Sequence, residues 1–170
     1  MTYVIFCFLA SFHLCGRHLI LKSINMKLNL PVSTLMTIDV ITLDPKDKLQ
    51  AAKDIFESHS IHHIPVMENG NLVGILSKTD YLYFMPQIDP ESNERYRTDL
   101  RLKNYTIREA MMKGVITVRP DTTLKAALEI FSENLFHALP VIDNGQLKGI
   151  LTTHDILFRL LHPQKKSIAQ

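Results

Sequence analysis

The sequence predicts a mixed α/β (α+β) fold of two β-α-β-β-α repeats packed pseudo-symmetrically on one another. Three observations predict it. Residues 36–82 return as residues 111–157 at a constant offset of 75, with no gap and nearly half of the positions identical; self-similarity at a fixed period marks a duplicated structural unit. Each copy runs through the same order of patterns: a β-branched run, a helical apolar period, two apolar runs around Asn-Gly, and a second helical stretch. A unit of this length also buries too little apolar surface alone, so the copies must cover each other.

In the first copy, Val40-Ile41-Thr42-Leu43 reads as a strand ended by Asp44-Pro45. Leu49, Ala51, Ala52, Ile55 and Phe56 recur at helical spacing and predict an amphipathic helix over residues 47–58. Asp47 is its expected N-cap, with Asp121 or Thr122 in the second copy. Ile64-Pro65-Val66-Met67 is a second strand whose proline, having no N–H, belongs at a strand start or an edge. Glu68-Asn69-Gly70-Asn71 is a hairpin turn, because Asn-Gly tolerates the positive φ a tight hairpin requires. Leu72 to Leu76 reads as a strand buried on both faces. Ser77 opens a second helix through Leu82, as Thr152 does in the second copy. The connector over residues 83–106 carries Pro86, Pro90, Arg95, Arg97, Arg101 and Lys103, and reads as an inter-repeat loop with space for a short helix.

Composition narrows the function. The chain has 170 residues, 46% of them hydrophobic and 21% charged, as in an ordinary soluble globular protein. A net charge of +2 is too small for charge-driven binding to nucleic acid or acidic membrane. Both cysteines, Cys7 and Cys15, precede the repeats, which excludes a disulfide framework, a CxxC metal or redox motif and a thiol nucleophile in the repeated body. A reducing cytoplasm is the expected compartment. No GxGxxG, GxxxxGK[ST], GxSxG or HExxH pattern occurs, so no enzyme is expected.

The first 25 residues are a separate matter. Tyr3 to Cys15 is almost wholly apolar, yet shorter than the roughly 20 residues a membrane span needs. No basic stretch precedes it, against a signal peptide. The expectations are a true start at Met26, then an extra helix on the domain, with membrane anchoring last.

The duplicated polar positions are the candidates for chemistry. Ser77-Lys78-Thr79-Asp80 and Thr152-Thr153-His154-Asp155 both place a hydroxyl and an aspartate three apart where a helix follows a buried strand. One reading is a capping box, weakened because Asp is shorter than the preferred Glu. The other is a nucleotide site, in which the carboxylate accepts bonds from ribose hydroxyls and the helix start receives phosphate. Thr42 and Thr117 end the first strand of each copy, where β-propensity explains them as well as ligand contact does. His63-Ile64-Pro65-Val66 and Ala138-Leu139-Pro140-Val141 form an apolar wall, suited to a flat base or to the core. His59, His62 and His63 cluster, but only His62 is duplicated, as His137, so solvated histidines or a histidine beside a phosphate fit better than a metal site.

This ordered set, occurring twice, resembles a pair of CBS domains, the regulatory unit called a Bateman module, in its stand-alone form. On that resemblance residues 30–85 are CBS repeat 1, 86–106 the inter-repeat linker and 107–162 CBS repeat 2, flanked by the apolar segment 1–25 and the tail 163–170. The resemblance implies a non-catalytic sensor with two clefts for adenosine-containing ligands. AMP, ADP or ATP come first, ahead of S-adenosylmethionine, NAD-type and cyclic dinucleotide ligands. No required cofactor is implied. It assigns ribose to Asp80 and Asp155, phosphate to Ser77 and Thr152, cleft positions to Thr42 and Thr117, and the adenine wall to the Ile64-Pro65 and Leu139-Pro140 segments, with His63, Ala138 and His154 beside them. Acid and wall of one cleft are expected from different repeats. It further implies a homodimer that signals to a regulated partner protein, with Arg95, Arg97, Arg101 and Lys103 on ligand phosphate or the partner surface. The alternative is a ligand-free dimerisation or scaffolding module.

Overall fold

The apolar period that starts at Leu49 forms helix α1 (Leu49–Ser58), which buries Leu49, Ala52 and Phe56. Its N-cap is Lys48, with no side-chain cap. Asp47 instead closes the preceding turn, its carboxylate accepting the Asp44 N–H at 2.8 Å. The second copy does the same with Thr122, whose hydroxyl accepts the Arg119 N–H at 3.0 Å. Its helix is capped one residue later, by Thr123. The expected caps at Asp47, Asp121 and Thr122 are therefore corrected: a short Asp44-Pro45 or Arg119-Pro120 turn takes the side chain first.

The computed structural model describes residues 28–84, 94–134 and 136–162, with side chains from residue 98 onward in the second stretch. The segment 1–25, the tail 163–170, Pro86, Pro90 and the side chains of Arg95 and Arg97 lie outside the described residues. After α1 come β1 (His63–Glu68), β2 (Asn71–Ser77), α2 (Lys78–Phe84), α3 (Glu94–Asn104) and α4 (Ile107–Ala110). The second copy gives α5 (Leu124–Glu133), β3 (Ala138–Asp143), β4 (Gln146–Thr152) and α6 (Thr153–Leu161). The connector thus holds a helix of its own, α3. The two hairpins turn through Asn69-Gly70 (φ 50° and 80°) and Asn144-Gly145 (φ 49° and 76°), the left-handed pair a two-residue hairpin demands.

The first strand of each copy does not form. Leu43 alone pairs with Val66, and Val118 alone with Val141. Leu43 donates to Pro65 O at 3.1 Å and accepts from Met67 N at 2.8 Å. Pro65 has no N–H to extend the ladder, and the register slips between Val66 and Met67. Pro65 sits third in β1, inside a two-stranded sheet in which each strand is an edge. β2 is also less buried than its apolar run suggests, because Leu72, Val73 and Ile75 are half-buried and only Gly74 and Leu76 are enclosed.

The packing units differ from the sequence repeats. The segment opening each copy crosses over to the other. Thr37 exchanges backbone bonds of 2.9 Å in both directions with Ile150, and Met112 exchanges bonds of 2.9 and 3.0 Å with Ile75. One residue into each segment, Val32 N donates to Thr122 O and Ile107 N to Asp47 O, both at 2.8 Å. The first core therefore joins Leu49, Phe56, Ile64, Leu76 and Tyr81 to Leu102, Ile107 and Met111. The second joins Leu124, Leu139, Leu151 and Ile156 to Val32, Leu35 and Met36. The crossings explain two glycines. A Cβ on Gly74 would lie 2.5 Å from Met111 Sδ, and one on Gly149 would lie 2.6 Å from Thr37 O. Only a residue without a side chain lets the crossing segment approach so closely.

Candidate functional site

The crossings bring the ends of both hairpins to one continuous cleft of ≈ 1310 Å³. Twelve pairs of residues related by the repeat line it, among them Ile41 and Ile116, His62 and His137, Ile75 and Ile150, Ser77 and Thr152, and Asp80 and Asp155. Val40 and Ile41, freed from the strand the sequence predicted, turn into it.

The acid-hydroxyl pairs sit where β2 meets α2 and β4 meets α6. Ser77 Oγ donates to Asp80 Oδ2 at 2.5 Å, and the Asp80 N–H donates back to Ser77 Oγ at 3.0 Å. Thr152 donates to Asp155 Oδ2 through its N–H and its hydroxyl, both at 2.7 Å, and accepts the Asp155 N–H at 3.1 Å. Both are capping boxes, so the shorter acid reaches after all. In each box the bonds to the carboxylate use Oδ2, and Oδ1 takes no part in the cap. Capping and ligand binding thus occupy different oxygens of one side chain. Burial pushes the Asp155 carboxyl above its usual range, opposed by the Thr152 bonds and by His154.

Five histidines face the same space: His59, His62, His63, His137 and His154. His63, half-buried at the start of β1, has its pKa lowered to about 4, mainly by burial and further by His137 and His62, while Asp80 opposes the shift. It is neutral at physiological pH. Lys78, Lys113 and Arg159 add cations, and Asp39 a further acid. Among the described residues no group of three His, Cys, Asp or Glu side chains could hold a metal ion.

Of the site residues expected from sequence, His63, Ser77, Asp80, Ala138, Thr152, His154 and Asp155 line the cleft. Six do not. Thr42 and Thr117 are exposed outside it, next to the lining Ile41 and Ile116. Ile64, Pro65, Leu139 and Pro140 are fully buried or nearly so beneath it, and Ile64 and Leu139 belong to the two cores. The apolar wall comes instead from Ile41, Ile61, Ile75, Met112, Phe136 and Ile150. Sequence reasoning missed these because each also fits an apolar strand or its flank; duplication of Ile41 and Ile75 was the available signal. Of the connector cations, Arg101 Nη1 is engaged by Phe84 O at 2.9 Å, and Lys103 is exposed away from the cleft. No described helix is long and apolar enough to cross a membrane.

Comparison with known proteins follows the same outline. The profile of the CBS domain matches residues 32–87 and 107–162. An inosine-5'-monophosphate dehydrogenase of Korarchaeum cryptofilum is 30% identical over 126 residues, which is 74% of this chain and 23% of that enzyme. The chain spans between 23% and 45% of the length of the first curated relatives it matches. Among solved structures, CBSX2 of Arabidopsis thaliana in complex with AMP superposes with a TM-score of 0.63 at 25% identity, covering 79% of this chain and 98% of that one. A CBS domain pair in complex with 5'-methylthioadenosine and S-adenosyl-L-methionine superposes with a TM-score of 0.62 at 26% identity, over 80% and 98% of the two chains.

Proposed function

The chain belongs to the CBS-domain family, and from that premise we propose that it is a non-catalytic regulatory module that binds adenosine-containing ligands in the cleft between its repeats. AMP, ADP or ATP is the ligand class, and occupancy is passed to a partner protein. One observation carries the reading: both copies aim an aspartate at the cleft whose cap uses Oδ2 alone, beside apolar side chains able to cover a base. The AMP complex of a structure 25% identical to this chain supports the same class. In this reading Asp80 and Asp155 hold ribose, Ser77 and Thr152 lie near phosphate, and Ile75 and Ile150 with Met112 and Phe136 receive adenine. Thr42, Thr117, Ile64, Pro65, Leu139 and Pro140 support the cleft from outside its surface.

Signalling requires a ligand affinity that differs between two arrangements of the repeats. The crossing pairs Thr37 with Ile150 and Met112 with Ile75 line the cleft and would sense such a change. The exposed Leu82, Tyr83, Leu157 and Leu161 on α2 and α6 support a homodimer, and a cytoplasmic setting suits a nucleotide sensor. The same exposed apolar surface is what favours the second reading, a scaffolding module with an empty cleft.

Titration calorimetry and thermal melting with AMP, ADP and ATP decide between them, since any ligand that binds the native state raises its melting point. The expected result is binding by the wild type and a loss of about tenfold or more in affinity for Asp80→Ala with Asp155→Ala, as expected when charge-assisted bonds to ribose are removed. Asp155→Asn should keep the melting point of the unliganded protein, because the amide oxygen still accepts the Thr152 bonds and no buried charge remains, yet lose affinity. No heat with any of the three nucleotides, or unchanged affinity in the double variant, rejects the assignment.

A further inference from the structure

We propose that α6 is the element that reports occupancy of the cleft: a bound ligand holds its second turn wound, and with it the exposed Leu157 and Leu161, while α2, its counterpart in the first repeat, stays as it is. The inference rests on the adenosine reading above and adds to it which helix answers.

The two helices meet the cleft differently. α2 lines it with its first turn alone, through Lys78, Thr79 and Asp80. α6 lines it over two turns, through Thr153, His154 and Asp155 and then Phe158 and Arg159. The match of Phe158 in the first repeat is Tyr83, which is 88% exposed and outside the cleft. Residues three and four apart share a helix face, so Phe158 stands beside His154 and Asp155 only while the second turn is wound.

They are also held differently. Each buries one side chain, Tyr81 in α2 and Ile156 in α6. α2 packs against α1 and α4 as well as β2, whereas α6 packs chiefly on β4, the strand it follows. The end of α2 is tied down: Arg101 Nη1 of α3 donates to Phe84 O at 2.9 Å, and the Phe84 ring meets that of Tyr105 edge-on at 5.9 Å. The rings of α6 stack along their own helix instead. Phe158 lies 6.4 Å from His154 and 4.6 Å from His162, a ladder spanning about 12 Å of helix axis. The His162 N–H closes the last turn on Phe158 O at 2.8 Å.

The energetics follow. A helix end that packs on few elements lies at the low-stability end of a fold, where local opening costs least. A ligand shifts such an equilibrium only through contacts that differ between its states. An adenosine beside His154 and Phe158 touches rings that are in place only when the second turn is formed, so binding favours the wound turn. The ladder carries that preference to His162 at the helix end. α2 offers a ligand its first turn alone, and the tie to Arg101 holds the rest with or without one.

Hydrogen exchange of the full chain, read by mass spectrometry with and without saturating AMP, tests this. Exchange over residues 156–162 should slow about tenfold or more on binding, and over residues 81–84 by less than about twofold. Linkage gives a second readout, because loosening α6 must then weaken the ligand. Leu157 and Leu82 are repeat counterparts, 60% and 55% exposed and both outside the cleft, so their substitution makes a matched pair. Leu157→Gly should lower AMP affinity about three- to fivefold in calorimetry, as expected from the helix cost of glycine, and Leu82→Gly less than about twofold. Equal protection of the two helices, no protection of either with AMP bound, or equal losses of affinity in the two variants overturns the assignment to α6 while the adenosine reading stands. Failure of AMP, ADP and ATP to bind the wild type overturns that reading and the assignment with it.

Discussion

The two repeats reach one architecture with different materials. In the first, Phe56 is buried and its ring lies 5.6 Å from that of Tyr81, while Leu102 from the connector helix is 1% exposed. In the second, the equivalent Phe131 is half-buried and Ile156 replaces the tyrosine. The balance of polar contacts runs the other way. α1 begins at Lys48 with no side-chain cap, whereas Thr123 caps α5 by accepting from Ala126 N at 3.3 Å. In the Thr152 box the backbone bond to the acid is 2.7 Å, where that from Ser77 is 3.3 Å long, while the hydroxyl bonds are 2.7 and 2.5 Å. Topology is shared, and the first repeat leans on aromatic packing while the second leans on caps.

The largest expected effect tests that contrast directly. Phe56→Ala should cost about 3–5 kcal/mol in urea unfolding, the usual range for a buried aromatic, and Phe131→Ala no more than about half of it. Equal costs would erase the distinction between the cores.

The crossing points come next. Gly149→Ala and Gly74→Ala should each cost about 1–3 kcal/mol by overpacking. Gly149 should be the worse, because its new Cβ first meets the backbone oxygen of Thr37, whereas at Gly74 the first obstacle is the flexible Met111 sulfur. Unfolding midpoints in urea read the order, and the reverse order would mean that the Met111 side chain cannot move aside.

The smallest effect belongs to the caps. Thr123→Ala should lower stability by about 1 kcal/mol, and Lys48→Thr should raise it by less, as a cap installed where none exists. Thermal melting of the two variants, taken together, shows whether the helices answer to the same local chemistry.

Much of the fold was legible because a repeat repeats its punctuation. The helices at Leu49 and Leu124, the Asn-Gly turns and the proline-bearing edge strands each follow from local chemistry that is written twice. The first strand was not legible, since Val40-Ile41-Thr42 has strand propensity but meets a partner strand interrupted by Pro65. In the site, Asp80 and Asp155 stood out because polar residues that recur on an apolar background have few explanations. Ile75, Ile150 and Met112 did not, because an apolar side chain facing a cleft and one facing a core look alike in sequence. The exchange of opening segments was equally invisible, being a matter of which apolar surface each segment meets.

That exchange also bears on how the protein is made. Val32, Leu35 and Met36 leave the ribosome early, but Leu139, Leu151 and Ile156 of their core emerge more than 100 residues later. The first core in turn waits for Leu102, Ile107 and Met111. Contacts so distant along the chain carry a loop-closure cost before they give any return, and they slow folding. The first core can close once residue 111 has emerged, but the nascent first half leaves its apolar opening segment uncovered until the second half has been translated. A ribosome stalled before residue 111 would display a sticky intermediate, a natural client for a chaperone.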